Sequence, residues 1–231
     1  MGVLALLATC GLFSLLLVQD ELAGRDPQRN PDATGPPPRD ISSRTVDPEP
    51  LTVDEVFPTE RIVINASEGP YRLLGTHDSK NCTVAAADEL ADLIDSLDCS
   101  QVIRGTLRSP NRDYLITTGV FNLATADEAG LAYEAIDPVI ENQTGRLLGL
   151  LAGEDTDAIV LAQTQTGWDY RGHFLIYAVI ARADSAAFTA ADDRFAELII
   201  WDMVEVHLRS GVLERRATAS VSASEPADPA A

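Results

Sequence analysis

Lysine, histidine and cysteine are scarce in this 231-residue chain: one Lys (Lys80) stands beside sixteen Arg, with three His and three Cys. With so few candidate ligands, and with no His-x-x-x-His or Cys-x-x-Cys spacing, the sequence offers no regular metal site. It also lacks a Gly-x-Ser-x-Gly elbow, a Walker loop and a Gly-x-Gly-x-x-Gly turn, so nothing points to a nucleotide or other cofactor. Positive charge is short as well. The net charge is −19, with 13 basic against 24 acidic residues between positions 61 and 216. Such a surface repels phosphate backbones and argues against nucleic acid as a partner. The abundance of Ala, Asp and Arg over Lys suggests a GC-rich coding genome.

One long apolar stretch is present. Gly2 to Val18 carries no charge and is followed at once by Asp20 and Glu21. As a helix it would be roughly 26 Å long, between a secretory h-region and a full membrane span. No A-x-A cleavage triplet lies nearby. Cys10 does not sit in a lipoprotein box, because Thr9 is too large and Leu12 to Val18 remain apolar. The expectation is an uncleaved anchor over residues 1–19, giving a single-pass protein of the cell membrane with its C-terminal domain extracytoplasmic. No Lys or Arg precedes the run, a pattern expected if the natural start lies upstream of Met1.

Residues 20–58 hold eight of the thirteen prolines, including Pro36-Pro37-Pro38, and read as a disordered linker. Residues 218–231 read as a disordered tail. Between them, 59–217 show alternating elements. Strands are expected at Arg61–Asn65, Tyr71–Thr76, Gln101–Arg108, Asp113–Leu123, Ala158–Thr164 and His173–Ala183. The first helix carries Leu90, Leu93, Ile94 and Leu97 on one stripe. A second starts at the capping box Thr125-Ala126-Asp127-Glu128, with Pro138 near its end. The last starts at Thr189-Ala190-Ala191-Asp192, with Gly211 as its expected terminator. The pattern is α+β: an antiparallel sheet with helices packed on it. Its element order fits a split β-α-β (ferredoxin-like) sandwich with an extra strand and a C-terminal helix.

Cys82 and Cys99 bracket the first helix. In an oxidising compartment they are expected to pair, and the alternative is two separate buried thiols. A helix from Val84 to Leu97 would hold its ends ~20 Å apart, too far for bridged Cα atoms, which come within about 7 Å. A bridge therefore requires a shorter helix, near Asp88–Ser96, with Thr83–Ala87 folded back.

Candidate chemistry is thin. His77-Asp78 could orient an imidazole, and His207 sits where a helix dipole would favour its charged form. Glu154-Asp155 and Asp192-Asp193 read as solvated surface. Trp168-Asp169-Tyr170-Arg171-Gly172-His173 is the densest group of recognition-type residues. It reads either as a recognition loop using Trp168, Tyr170, Arg171 and His173, or as a hairpin whose aromatics pack across the sheet. Asn65, Asn81 and Asn142 head sequons that matter only in a eukaryotic secretory route.

The stretch from Thr52-Val53-Asp54-Glu55-Val56-Phe57-Pro58 onward, with Cys99-Ser100-Gln101-Val102-Ile103-Arg104 and Gly211-Val212-Leu213-Glu214-Arg215, resembles uncharacterised membrane-anchored extracytoplasmic proteins of actinomycetes. The resemblance covers about three-quarters of the chain, supports the location and implies no activity. The leading expectation is a non-enzymatic, membrane-tethered binding or interaction module with an envelope partner or ligand. The alternatives are a hydrolase of unfamiliar type using His77 and nearby carboxylates, or a structural subunit of a membrane complex.

Overall fold

The computed structural model describes residues 38–153 and 155–219; the apolar run at 2–18, the first part of the linker and the tail beyond 219 lie outside the described residues. No helix among the described residues is long and apolar enough to cross a membrane.

Thr52 opens the one-turn helix α1 (Val53–Val56) through a reciprocal capping box with Glu55. Strands β1 (Arg61–Ile62) and β2 (Tyr71–Ser79) follow. A 3-10 turn at Cys82–Ala85, β3 (Ala86–Asp88) and helix α2 (Glu89–Ser96) lead to the hairpin of β4 (Gln101–Arg108) and β5 (Tyr114–Asn122). Helix α3 (Ala126–Glu141) begins where the Thr125 hydroxyl accepts from Glu128 N–H, and it contains Pro138. The chain continues through β6 (Gly145–Leu147), the short α4 (Ala158–Leu161), β7 (Thr164–Arg171) and β8 (Phe174–Arg182). Helix α5 (Ala190–Ile200), capped by Thr189, passes into a π-helical stretch at Trp201–Leu213 and ends in α6 (Glu214–Thr218).

Six strands form one curled sheet in the order β1-β2-β4-β5-β8-β7, every neighbouring pair antiparallel, while β3 and β6 pair separately. Alternate residues of each strand feed two cores. On one face, Ile103, Ile116, Val120, Ile176 and Ile180 meet Ala196, Ile199, Met203 and Leu208 of the C-terminal helix. On the other, Val102, Leu115, Phe121, Leu175 and Val179 meet Leu90 and Ile94 of α2 and Ala132 and Ile136 of α3. These are called the C-helix face and the α2–α3 face. Burial on both sides explains why β5 and β8 read as almost unbroken apolar runs.

The α+β class, the antiparallel sheet and the C-terminal helix are as the pattern predicts. The strand order is not split β-α-β: β2 pairs directly with β4, leaving no place for a strand between them. The bridge between Cys82 and Cys99, with Cα atoms 6.2 Å apart, brings the chain back to the same end of the sheet. The helix between them is the short one the bridge demanded, α2 at Glu89–Ser96. On its stripe Leu90 and Ile94 are fully buried and Leu93 only partly.

Four local expectations are corrected. Residues 158–161 form a turn of helix rather than a strand, because a short apolar run fits either period. Gly211 does not end the last helix. The widened turns run past it, and a Cβ there would lie 2.9 Å from the Val206 carbonyl oxygen, five residues back. His207 consequently lies inside the helix, buried, and burial pushes its pKa down to about 4, so no charged imidazole meets a helix end. Residues 38–58 are not linker. Ile41, Leu51, Val56 and Phe57 are buried in the C-helix core, and His173 N–H donates to the Ile41 carbonyl at 2.9 Å.

Candidate functional site

The far ends of β1, β2 and β4 lie beyond the cover of α2 and α3, and there the sheet carries arginine. Register pairs Arg61 with Arg72 and Arg72 with Arg108, so three guanidinium side chains stand in one transverse row. Directly opposed residues sit with Cβ atoms about 5 Å apart, and like charges in such positions repel. A fourth, Arg112, is supplied by the β4–β5 turn. That turn is tightly braced: Arg112 N–H donates to the Ser109 carbonyl at 2.9 Å, Ser109 Oγ to Asn111 Oδ1 at 2.7 Å, and Tyr114 N–H to Ser109 Oγ at 3.0 Å. It holds Arg112 at φ 69°, a left-handed conformation that side-chain-bearing residues rarely adopt.

These four arginines line a groove of about 780 Å³ with Leu74 and Ala152 among its walls. Glu60 and Asp155 also line it, yet none of the four makes an ion pair among the described residues; Arg108 donates only to the Asp155 carbonyl, at 3.1 Å. Elsewhere on the domain most arginines are paired: Arg39 and Arg216 with Asp47, Arg44 with Asp98, Arg171 with Glu214, Arg182 with Asp192, and Arg209 with Glu205. On a chain of net charge −19, four guanidiniums with no ion pair among the described residues give one groove a local positive field of the kind that captures oxyanions.

The residues singled out in the sequence lie elsewhere. Trp168 and Tyr170 belong to β7 and pack on α3: the Trp168 indole N–H donates to the Tyr133 carbonyl at 3.0 Å, and the Tyr133 and Tyr170 rings are 5.5 Å apart. Arg171 is ion-paired with Glu214. His173 is fully buried, its Nδ1 donating to the Leu123 carbonyl at 3.0 Å and its Nε2 3.3 Å from Asp47 Oδ2. The four residues therefore form a packed hairpin and not a free recognition loop. Asp192 is buried and not solvated. Hydrogen bonds from Thr189, Tyr114 and Arg182 hold its carboxyl well below the usual range. His77 lies within β2, opposite Arg104, and Asp78 accepts from Gln101 instead, so the imidazole and carboxylate that a hydrolase would need are not brought together.

Sequence reasoning missed the groove because each of its arginines is an isolated residue at a strand end or turn. Only the register joins positions 61, 72 and 108. The usable signal was their distribution: Arg72, Arg108 and Arg112 stand within three residues of the Gly69-Pro70 and Ser109-Pro110 turns of an acidic chain.

Compared with known protein families, curated proteins and solved structures, the chain matches none of them.

Proposed function

We propose that the domain is a non-enzymatic binding module, tethered to the cell membrane on its extracytoplasmic side, and that its groove takes a compact anionic ligand in the envelope. The observation that carries this reading is the set of four arginines, Arg61, Arg72, Arg108 and Arg112, which line one groove of an acidic protein and make no ion pair among the described residues. Opposed like charges in successive register cost stability, which an anion lying across them would recover. The surrounding negative charge selects a compact anion over an extended polyanion, whose remaining charges would meet acidic surface. The Cys82–Cys99 bridge suits an oxidising compartment and supports the placement.

The test is calorimetric titration of the full chain with inorganic pyrophosphate as a compact probe. Binding is expected, weakening with salt, and the double variant Arg72→Gln/Arg108→Gln should lose affinity by at least about tenfold, about 1.4 kcal/mol. Absence of binding at low salt, or equal affinity in the variant, would overturn the proposal. For placement, external protease should digest the domain in spheroplasts, and protection would contradict it.

A further inference from the structure

A second hollow adjoins the arginine groove. It has a volume of about 320 Å³ and lies between Phe195, Leu198 and Ile199 of α5 and the Tyr71 and Tyr114 rings of the sheet. Small-molecule sites have volumes of about 300–1,000 Å³. Its walls are apolar because their polar groups are engaged elsewhere. Tyr71 Oη donates to Asp202 at 2.6 Å and Tyr114 Oη to Asp192 at 2.7 Å, which leaves ring carbons toward the hollow. Ser109 Oγ and the Asn111 amide are taken up within their own turn, at 2.7 Å to Asn111 Oδ1 and 2.9 Å to Asp113 Oδ2. Phe195 and Leu198 are 50% and 45% exposed, three positions apart on one side of α5, so an apolar strip faces water there.

Tyr71 and Arg72 are consecutive in β2 and point to opposite faces of the sheet, so the hollow and the groove lie back to back. They meet round the end of the sheet. Ser109 and Pro110 form a wall of each. A Cβ on Gly69 would lie 3.9 Å from the Pro110 Cβ, which brings the Gly69-Pro70 turn to the same rim. No residue of that rim (Gly69, Pro70, Ser109, Pro110) carries a long or charged side chain. Charge divides the two spaces. The hollow has no guanidinium, and its one carboxylate, Glu68, repels an anion. Four guanidiniums and two carboxylates, Glu60 and Asp155, line the groove, which leaves it two positive charges in surplus.

We infer that groove and hollow form one site, and that its ligand is a single-chain amphiphile with a phosphate monoester head. The head lies among the arginines, and the chain crosses Pro110 to lie against Tyr71, Tyr114, Phe195 and Leu198. This rests on the anion-binding reading of the groove and adds the apolar half of the ligand. A phosphate monoester carries about −1.5 to −2 charges near neutral pH, which matches the surplus, and its oxygens suit guanidinium forks. The ligand is a single molecule and not a bilayer surface, because a chain of net charge −19 is repelled by an anionic membrane.

The test titrates the full chain calorimetrically with ethyl phosphate, octyl phosphate and pyrophosphate. Each buried methylene tightens binding by up to about fourfold, so octyl phosphate should bind at least about thirtyfold more tightly than ethyl phosphate. Phe195→Ser/Leu198→Ser should cut that advantage to about threefold or less while leaving pyrophosphate affinity unchanged. This variant keeps the apolar run at 2–18, so uptake of octyl chains by that run cancels in the comparison. Both substituted positions are exposed; if the melting temperature of the double variant falls, Leu198→Ser alone decides. Arg72→Gln/Arg108→Gln should weaken all three probes. Equal affinity for ethyl and octyl phosphate with pyrophosphate still bound would overturn the amphiphile and leave the anion groove standing. An octyl advantage that survives in Phe195→Ser/Leu198→Ser, or octyl phosphate binding undiminished in the arginine variant, would also overturn the joined site. Failure of all three probes to bind would overturn both readings.

Discussion

On the C-helix face, Asp47 accepts from Arg39, Arg216 and His173, Asp192 from Tyr114 and Arg182, and Asp202 from Tyr71. On the α2–α3 face of the same sheet, Arg72, Arg104 and Arg108 meet no carboxylate among the described residues. Both faces bury apolar side chains to a similar degree, so packing does not explain the contrast. Its source is what each face joins. The C-helix face ties together distant parts of the chain: Arg216 reaches Asp47 across 169 positions, with Nε 2.7 Å from Oδ2 and Nη2 2.9 Å from Oδ1. Paired charge there fixes which segments dock. On the other face, among the described residues, charge is not used to join segments, and Arg72 and Arg108 are left open to the solvent-facing groove.

The largest expected effect comes from breaking the paired face at its centre. Asp47→Ala leaves Arg216, Arg39 and His173 around an empty position, and should cost about 3–5 kcal/mol by denaturant unfolding. A loss below about 1 kcal/mol would mean that the network does not hold residues 38–58 to the domain.

On the opposite face the covalent tie should matter to a comparable degree. Cys82 and Cys99 are 17 positions apart. Reduction or Cys99→Ser should therefore cost about 3 kcal/mol as the unfolded chain regains its freedom. Titratable thiols in the oxidised native protein would contradict the bridge.

The pH dependence of stability should also come from the paired face. His207 falls from its ordinary 6.5 to about 4 on folding, so the unfolded chain binds the proton first. Stability is then complete above pH 6.5 and declines as pH falls toward 4, by about 3 kcal/mol in all. His207→Gln should flatten that window. For Asp47, burial works to raise the carboxyl, but hydrogen bonds from His173, Arg216 and Arg39 outweigh it and hold the group far below its ordinary 3.8. Its contribution is present above that value and is lost only at lower pH, so the two losses are separable in an unfolding series from pH 7 to pH 2. A flat profile from pH 6.5 to 4 in the wild type would contradict the buried neutral His207.

The smallest effect on stability belongs to the groove. Arg112→Gly suits the positive φ of its turn, so it should change stability by no more than about 1 kcal/mol while lowering pyrophosphate affinity severalfold. Unchanged affinity would remove Arg112 from the groove.

Much of the architecture was legible because it follows from local chemistry. Gln101–Arg108 is a strand at its predicted bounds, Thr125 and Thr189 cap the helices their motifs announced, and the Cα distance allowed by a disulfide shortened α2 to nearly its observed length. What stayed hidden depends on pairing at long range. Composition marks residues 38–58 as linker, since nothing local shows that Ile41, Leu51 and Phe57 find a core or that Asp47 finds Arg216. The groove was hidden for the same reason: Arg61, Arg72 and Arg108 become neighbours only through register. Trp168 and Tyr170 suggested recognition by residue type alone, and the alternation of β7 turns them onto α3.

The contrast between the faces is tested most directly by one substitution made on each. Arg216→Met and Arg104→Met both replace a buried guanidinium with an apolar chain of similar length, and both are to be unfolded with denaturant in the same buffer. Arg216→Met should lose about 3–5 kcal/mol, because Asp47 is left buried with an uncompensated charge. Arg104→Met should be as stable as the wild type or more so, because an unpaired buried charge has been removed. Equal destabilisation of the two variants would show that Arg104 is satisfied within the fold, and would contradict the account.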